Sequence, residues 1–168
     1  HASYRRQRQM CIRDRYEIPA SNMGDYIGGK RPKSDINFDP VEEDIRQRYI
    51  EQCDINFSMN IEIVMHHFLT KCGFRMPGEA QKIERILESF ADVYYRARSE
   101  IWANPDAVFV VFNAILMLNT SLHNPRIKEK DKLKKSVFLG MCMGVKGQSF
   151  TAADYERVYN YIAKNCLL

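Results

Sequence analysis

The chain has little of what β-rich or covalently stapled folds require. Glycine and proline are sparse, eight and six among 168 residues, and no alternating apolar and polar run leads into a hairpin turn. This leaves helices joined by short polar connections. Five cysteines are present and none stands in Cys-x-x-Cys spacing. Cys72 and Cys142 lie within apolar stretches, so the expectation is buried, reduced thiols, as in a cytosolic protein. A long apolar run is also missing. The most apolar stretch, Asp106 to Leu118, is shorter than the roughly 20 residues of a bilayer span, and Asn113 interrupts it, so a buried core helix is expected there. No secretory signal is visible.

Positive charge looks abundant, at 25 Lys+Arg against 21 Asp+Glu. Much of that excess lies in one place. Arg5 to Asp14, Arg-Arg-Gln-Arg-Gln-Met-Cys-Ile-Arg-Asp, reads codon by codon as CGT CGG CAG CGT CAG ATG TGT ATA AGA GAC, which resembles a transposase adapter used in sequencing libraries. Residues 1–15 are therefore set aside as non-native. Removing Arg5, Arg6, Arg8, Arg13, Arg15 and Asp14 leaves 20 against 20. The net charge then argues for neither nucleic acid nor a membrane surface. Residues 16–168 suffice for one domain with its own core.

Helical spacing runs through that domain. Gly28 to Asp39 reads as a loop, after which Asp39-Pro40 opens a helix as N-cap and first-turn proline, with Val41, Ile45 and Tyr49 on its inner face. Asn60 is placed to cap a helix in which Ile61, Val64, Met65, Phe68, Leu69 and Cys72 share one side. Lys128 to Lys135 reads as a solvated connection, or else as a membrane or phosphate contact. Thr151 and Asp154 approach a capping box, flanked by Phe150 and Tyr155 as a hydrophobic staple. Tyr155, Val158, Tyr159 and Ile162 form the inner stripe of that helix.

Two stretches carry the candidate chemistry. In Phe74 to Arg85, Pro77-Gly78 makes a turn and Ile83, Ile86, Leu87 and Phe90 recur at helical spacing straight after it, which pushes Glu79 outward at the tip. For a lone glutamate, the dipole of the helix start explains the position. In Val108 to Pro125, Val108, Val111, Ile115, Leu118 and Leu122 share a core face. Asn113, Met117, Ser121 and Asn124 share another, whose mixture of Met and small polar groups suits a partly apolar partner groove. Other candidates fall away. Gly24 to Lys30 lacks the Ser or Thr of a phosphate loop and any preceding strand. His66, His67 and His123 form no ligand set, and Ser121 and His123 form no nucleophile–base pair.

Together the two stretches resemble the signature motifs of the Sec seven domain, the guanine-nucleotide exchange domain for Arf-type small GTPases, with a cytohesin-like second motif. The resemblance implies an all-α, right-handed superhelical array of helices, here lacking its first helices, because the family carries several before the segment Gly24-Asp25-Tyr26-Ile27-Gly28. It also implies a function, the release of GDP from an Arf-family GTPase. Glu79 matches the family's glutamic finger, which enters the nucleotide site, displaces magnesium, opposes the β-phosphate and engages the phosphate-loop lysine. Arg75, Met76, Pro77, Gly78, Asn113, Met117, Ser121 and Asn124 match the groove that receives the GTPase switch regions, although Asn113 replaces an expected aromatic residue. No cofactor, resident metal or covalent chemistry is implied. The expected partner is the GTPase and not nucleic acid, with a monomeric domain that touches membrane only indirectly or through domains outside this segment. The expected setting is cytoplasmic, at the Golgi, endosomal or plasma membrane, in vesicle trafficking. The competing reading is an exchange-inactive helical interaction module or fragment, against which an intact Glu79 argues.

Overall fold

The computed structural model describes residues 19–29 and 41–168. The Arg-rich start, most of the loop after Gly28 and the Asp39-Pro40 cap lie outside the described residues. Among the described residues seven α-helices follow one another: α1 Ala20–Ile27, α2 Val41–Gln52, α3 Ile61–Lys71, α4 Ala80–Ala97, α5 Pro105–His123, α6 Lys135–Met143 and α7 Ala152–Lys164, with a 3-10 turn at Glu129–Asp131 before α6. The described residues are all-helical, apart from one isolated bridge between Trp102 and Gln148.

Two helix starts have a clear local cause in a side-chain cap. Asn104 caps α5, its Oδ1 accepting from the Ala107 N–H at 2.9 Å, and Pro105 takes the first helical position, where no N–H is needed. Thr151 and Asp154 form the expected capping box, and the Phe150 and Tyr155 rings lie 5.4 Å apart as the staple. Asn60 does stand at the N-cap of α3, but its side chain makes no capping bond. Its carbonyl alone accepts from Ile63 and Val64.

Apolar spacing decides which faces turn inward. All six residues expected on the inner side of the 61–72 segment are buried. Phe68 of α3 stacks on Phe90 of α4 with centroids 3.9 Å apart, and Phe90 stacks on Phe112 of α5 at 4.9 Å, so one aromatic column joins three helices. Such pairs contribute about 0.5–1.5 kcal/mol each beyond their buried area. By length and composition alone, α5 is apolar enough to cross a membrane. Its Val108, Val111, Phe112, Ile115 and Leu118 are instead fully buried, where α5 packs on α4, α6 and α7.

The inner face of α2 differs from the expected one. Ile45 is only partly buried, whereas Arg46, Tyr49, Ile50 and Cys53 face inward. A basic residue is tolerated there because Arg46 donates to the Ile27 carbonyl at 2.9 Å and to the Ser89 hydroxyl at 2.8 Å. Cys53, Cys72 and Cys142 are buried free thiols, while Cys166 is exposed.

The capping box also sets a pH response. The Thr151 N–H, then Arg157 and the Thr151 hydroxyl, hold the Asp154 carboxyl down at about 2, against 3.8 ordinarily. A depressed carboxylate stabilises the fold fully above its unfolded pKa, and that contribution is lost as pH falls from about 4 to about 2. Asp154→Asn is expected to cost about 1 kcal/mol at neutral pH and to flatten the acid limb of Tm against pH. Superimposable acid limbs for the two proteins would contradict the assignment.

Candidate functional site

The polypeptide leaves α3 through Gly73, whose φ of +72° favours glycine. Phe74 is then driven into the core against Tyr49 and Phe68, with ring centroids 6.3 and 5.1 Å away. Anchoring at Phe74 fixes where the next five residues run. Arg75 is exposed, Met76 half-buried, Pro77 buried and Gly78 exposed. Glu79 is the N-cap of the 18-residue helix α4. Its carbonyl accepts from the Lys82 and Ile83 N–H groups at 3.0 and 3.1 Å, but its side chain makes no capping bond. The carboxylate points outward, 50% exposed, and its ion-pair partner is Lys82 Nζ at 3.4 Å.

That ammonium belongs more firmly to another residue. Lys82 Nζ is 2.8 Å from Asp25 Oδ1 of α1, and the Asp25 hydrogen bond is the leading cause of the raised Lys82 pKa. With Lys82 held by Asp25, Glu79 keeps a loosely paired, solvent-facing charge at the positive end of a helix dipole.

The approach of α1 depends on two glycines one helical turn apart. A Cβ at Gly24 would lie 1.8 Å from the Arg75 carbonyl oxygen, and a Cβ at Gly28 would lie 2.8 Å from Lys82 Cβ. The end of α1 is closed by arginines from α2 and α4, Arg46 on the Ile27 carbonyl and Arg85 on the Gly28 carbonyl, both at 2.9 Å. Reading the sequence did not assign a helix to residues 20–27, nor a supporting role to Gly24, Asp25 and Gly28. The available signal was the pair of glycines at i and i+4 beside apolar Met23 and Ile27.

The second stretch forms the C-terminal half of α5 and the turn after it. Asn113 Nδ2 donates back to the Phe109 carbonyl at 2.9 Å. Ser121 Oγ accepts from the Leu133 N–H at 2.7 Å, and Asn124 Oδ1 accepts from the Arg126 N–H at 2.9 Å, a turn that Pro125 reinforces. These side chains therefore shape their own segment as well as facing outward. Asn113 keeps its amide oxygen and Asn124 its NH₂ for a partner. Met117 is 53% exposed. Val110, also about half exposed, extends the same face by about one turn beyond Asn113 and was missed in the sequence. Among the described residues, no hydrogen bond or ion pair joins the Arg75–Glu79 segment to this face; the packing of α4 on α5 sets their relation.

With this geometry in place, the chain can be compared with known families: the model of the Sec7 domain matches residues 7–167. The chain belongs to the Sec7 domain family. It is 32% identical over 152 residues to the ankyrin repeat, PH and SEC7 domain containing protein secG of Dictyostelium discoideum, covering 89% of this chain and 14% of that protein. With human cytohesin-4 it shares 31% identity over 135 residues, covering 80% of this chain and 31% of the relative. The crystal structure of the Sec7p catalytic domain superimposes with a TM-score of 0.70 at 28% identity, over 88% of this chain and 72% of the other. The chain thus spans only a minor part of these curated relatives, and most of a solved Sec7 domain.

In this Sec7 domain the glycine contacts can be tested directly. Gly24→Ala places a methyl group against backbone, which cannot yield as a side chain does, and is expected to cost about 1–3 kcal/mol, or several degrees in Tm. Gly78→Ala meets nothing within 4 Å and is expected to be neutral. Equal Tm values for the two variants would show that α1 does not bear on the Arg75 backbone.

Proposed function

We propose that this Sec7 domain promotes GDP release from an Arf-family small GTPase, with Glu79 as the residue that opposes the nucleotide. The observation that carries the reading is the Glu79 carboxylate, half exposed at a helix start on a backbone braced by α1 and making no capping bond to its own helix. Two further observations support it. Relatives of the chain are named guanine nucleotide-exchange proteins, among them one from Arabidopsis thaliana at 30% identity. The exposed Met117 and the spare amide groups of Asn113 and Asn124 offer adaptable apolar and polar contacts to a partner main chain.

In this reading Arg75 to Gly78 and the Met117 face receive the GTPase switch regions, and Glu79 reaches the nucleotide site. There its charge repels the β-phosphate, takes the place of magnesium and pairs with the phosphate-loop lysine. Two unit charges about 4 Å apart at an effective dielectric near 20 interact by about 4 kcal/mol. That is roughly a thousandfold in rate, so one carboxylate can govern release without forming a bond. Such an activity places the domain on the cytoplasmic side of trafficking membranes, acting as a monomer. Residues 1–15 take no part in it.

Fluorescent mant-GDP release from a panel of Arf proteins, with micromolar Sec7 domain, tests the reading. Accelerated release from at least one member is expected. Binding to a nucleotide-free GTPase without acceleration would instead establish an interaction module.

A further inference from the structure

The segment Arg126 to Lys135 carries six basic residues against two acidic ones, a local excess hidden by the even balance of the whole domain. Two of the cations have partners, Lys132 with Glu129 at 2.8 Å and Lys135 with Glu156 at 2.9 Å. Arg126, Lys128, Lys130 and Lys134 are exposed and form no ion pair among the described residues. Asp131 is the remaining acidic residue, also exposed. The fold draws no ion pair from these four cations among the described residues, whereas Lys135 also lies 5.6 Å from the Tyr159 ring centroid. Lys134 stands unpaired at the start of α6, whose first turn has no acidic residue, so its charge opposes the helix dipole.

Next to these cations α6 turns two apolar side chains outward. Val137 and Met141, one turn apart, are 49% and 39% exposed, while Phe138 and Cys142 on the adjoining side are fully buried. Basic groups beside exposed aliphatic ones match a lipid surface, where cations meet headgroup phosphates and short apolar chains enter the acyl boundary. The segment 126–137 has no aromatic residue, so it lacks the stacking platform of a single-strand nucleic-acid site.

We propose that the 126–137 segment and the outer face of α6 dock on an anionic lipid surface. Membrane contact is then direct and made by the Sec7 domain itself, which replaces the expectation that it arises only indirectly or through other domains. The proposal is independent of nucleotide exchange. Either can fail while the other stands.

The test is co-sedimentation of the full chain with vesicles of phosphatidylcholine, with or without about one-third phosphatidylserine, in about 0.1 M salt. Binding to the anionic vesicles only, falling as salt rises, is expected. Each basic residue near such a surface contributes roughly fivefold to partitioning. The combined Lys128→Ala, Lys130→Ala and Lys134→Ala substitutions should therefore weaken binding roughly a hundredfold. Val137→Ser with Met141→Ser should weaken it roughly tenfold and leave its salt dependence. All five positions are exposed, so Tm should hold in both variants. Arginines of the first fifteen residues also attract anions, so each comparison is repeated with Arg5, Arg6, Arg8, Arg13 and Arg15 changed to Ala. Equal binding to neutral vesicles, or unchanged binding by the lysine variant in that arginine-free background, would overturn the proposal. So would loss of oligonucleotide binding by the lysine variant while vesicle binding persists.

Discussion

Glu79→Lys is expected to slow GDP release roughly a thousandfold relative to the parent domain while leaving the fold intact. The side chain is half exposed and its ion pair with Lys82 is long, at 3.4 Å, so the fold loses at most a helix-dipole contact of about 0.3–1 kcal/mol. Tm should fall by no more than about 4 °C. Under the proposed mechanism function responds differently, because the reversed charge would attract the β-phosphate and repel the phosphate-loop lysine. Both reversals would hold GDP in place. Met117→Ala supplies the contrast: it should weaken capture of nucleotide-free GTPase in a pull-down and lower exchange only through binding. Exchange by Glu79→Lys above about a tenth of the parent rate, a deficit below 1.36 kcal/mol, would remove Glu79 from the mechanism.

Arg157→Ala is expected to have the largest effect on stability. Glu62 stands in the first turn of α3 and is almost fully buried, with Oε1 held by Arg157 Nε at 2.9 Å and Oε2 without a partner. Removing the guanidinium leaves a buried carboxylate uncompensated, which costs about 3–5 kcal/mol in general. Arg157 is 39% exposed, so water can reach the gap and the lower end of that range is expected. In a domain of this size it amounts to a Tm fall of roughly 6–12 °C. Arg157 also binds Asp154 at 2.8 Å, so part of the loss falls on the capping box. Adding Glu62→Gln to Arg157→Ala removes the stranded charge and should recover part of the deficit. A double variant no more stable than Arg157→Ala would show that burial of Glu62 is not the cause.

The helices that were legible in the sequence are those whose packing repeats a local period. Ile61 to Cys72 and Thr151 to Ile162 present one apolar stripe each; the first is buried as read, and the second is buried at Tyr155, Val158 and Ile162 with Tyr159 partly exposed. Asn124 before Pro125 marks the end of α5 for an equally local reason, since a residue preceding proline avoids the helical region. What escaped depends on distant partners. Arg46 looks like a surface residue until the Ile27 carbonyl and Ser89 are beside it. Residues 20–27 carry too few apolar positions to announce a helix, and Gly24 acquires its meaning from the Arg75 backbone, far along the chain. The site divides in the same way. Glu79 is visible from the Pro77-Gly78 turn and the helical period behind it, whereas its loose pairing with Lys82 depends on Asp25.

The closure of α1 onto α4 has a consequence for the order of assembly. An eight-residue helix is far shorter than the roughly 12–15 residues an isolated helix needs in water, so α1 persists only while its partners hold it. Two of those links, Lys82 to Asp25 and Arg85 to Gly28, each span 57 residues of chain. Contacts of such range are entropically expensive to close and form after local ones. The hypothesis is that the support beneath Glu79 folds last and opens first, as a unit separate from the aromatic column. Native-state hydrogen exchange should show the amides of α1 opening together at a lower free energy than those of α5. Equal protection of α1 and α5 would contradict it. The part of the domain nearest its proposed chemistry is then also the part with the shortest lifetime in the closed state.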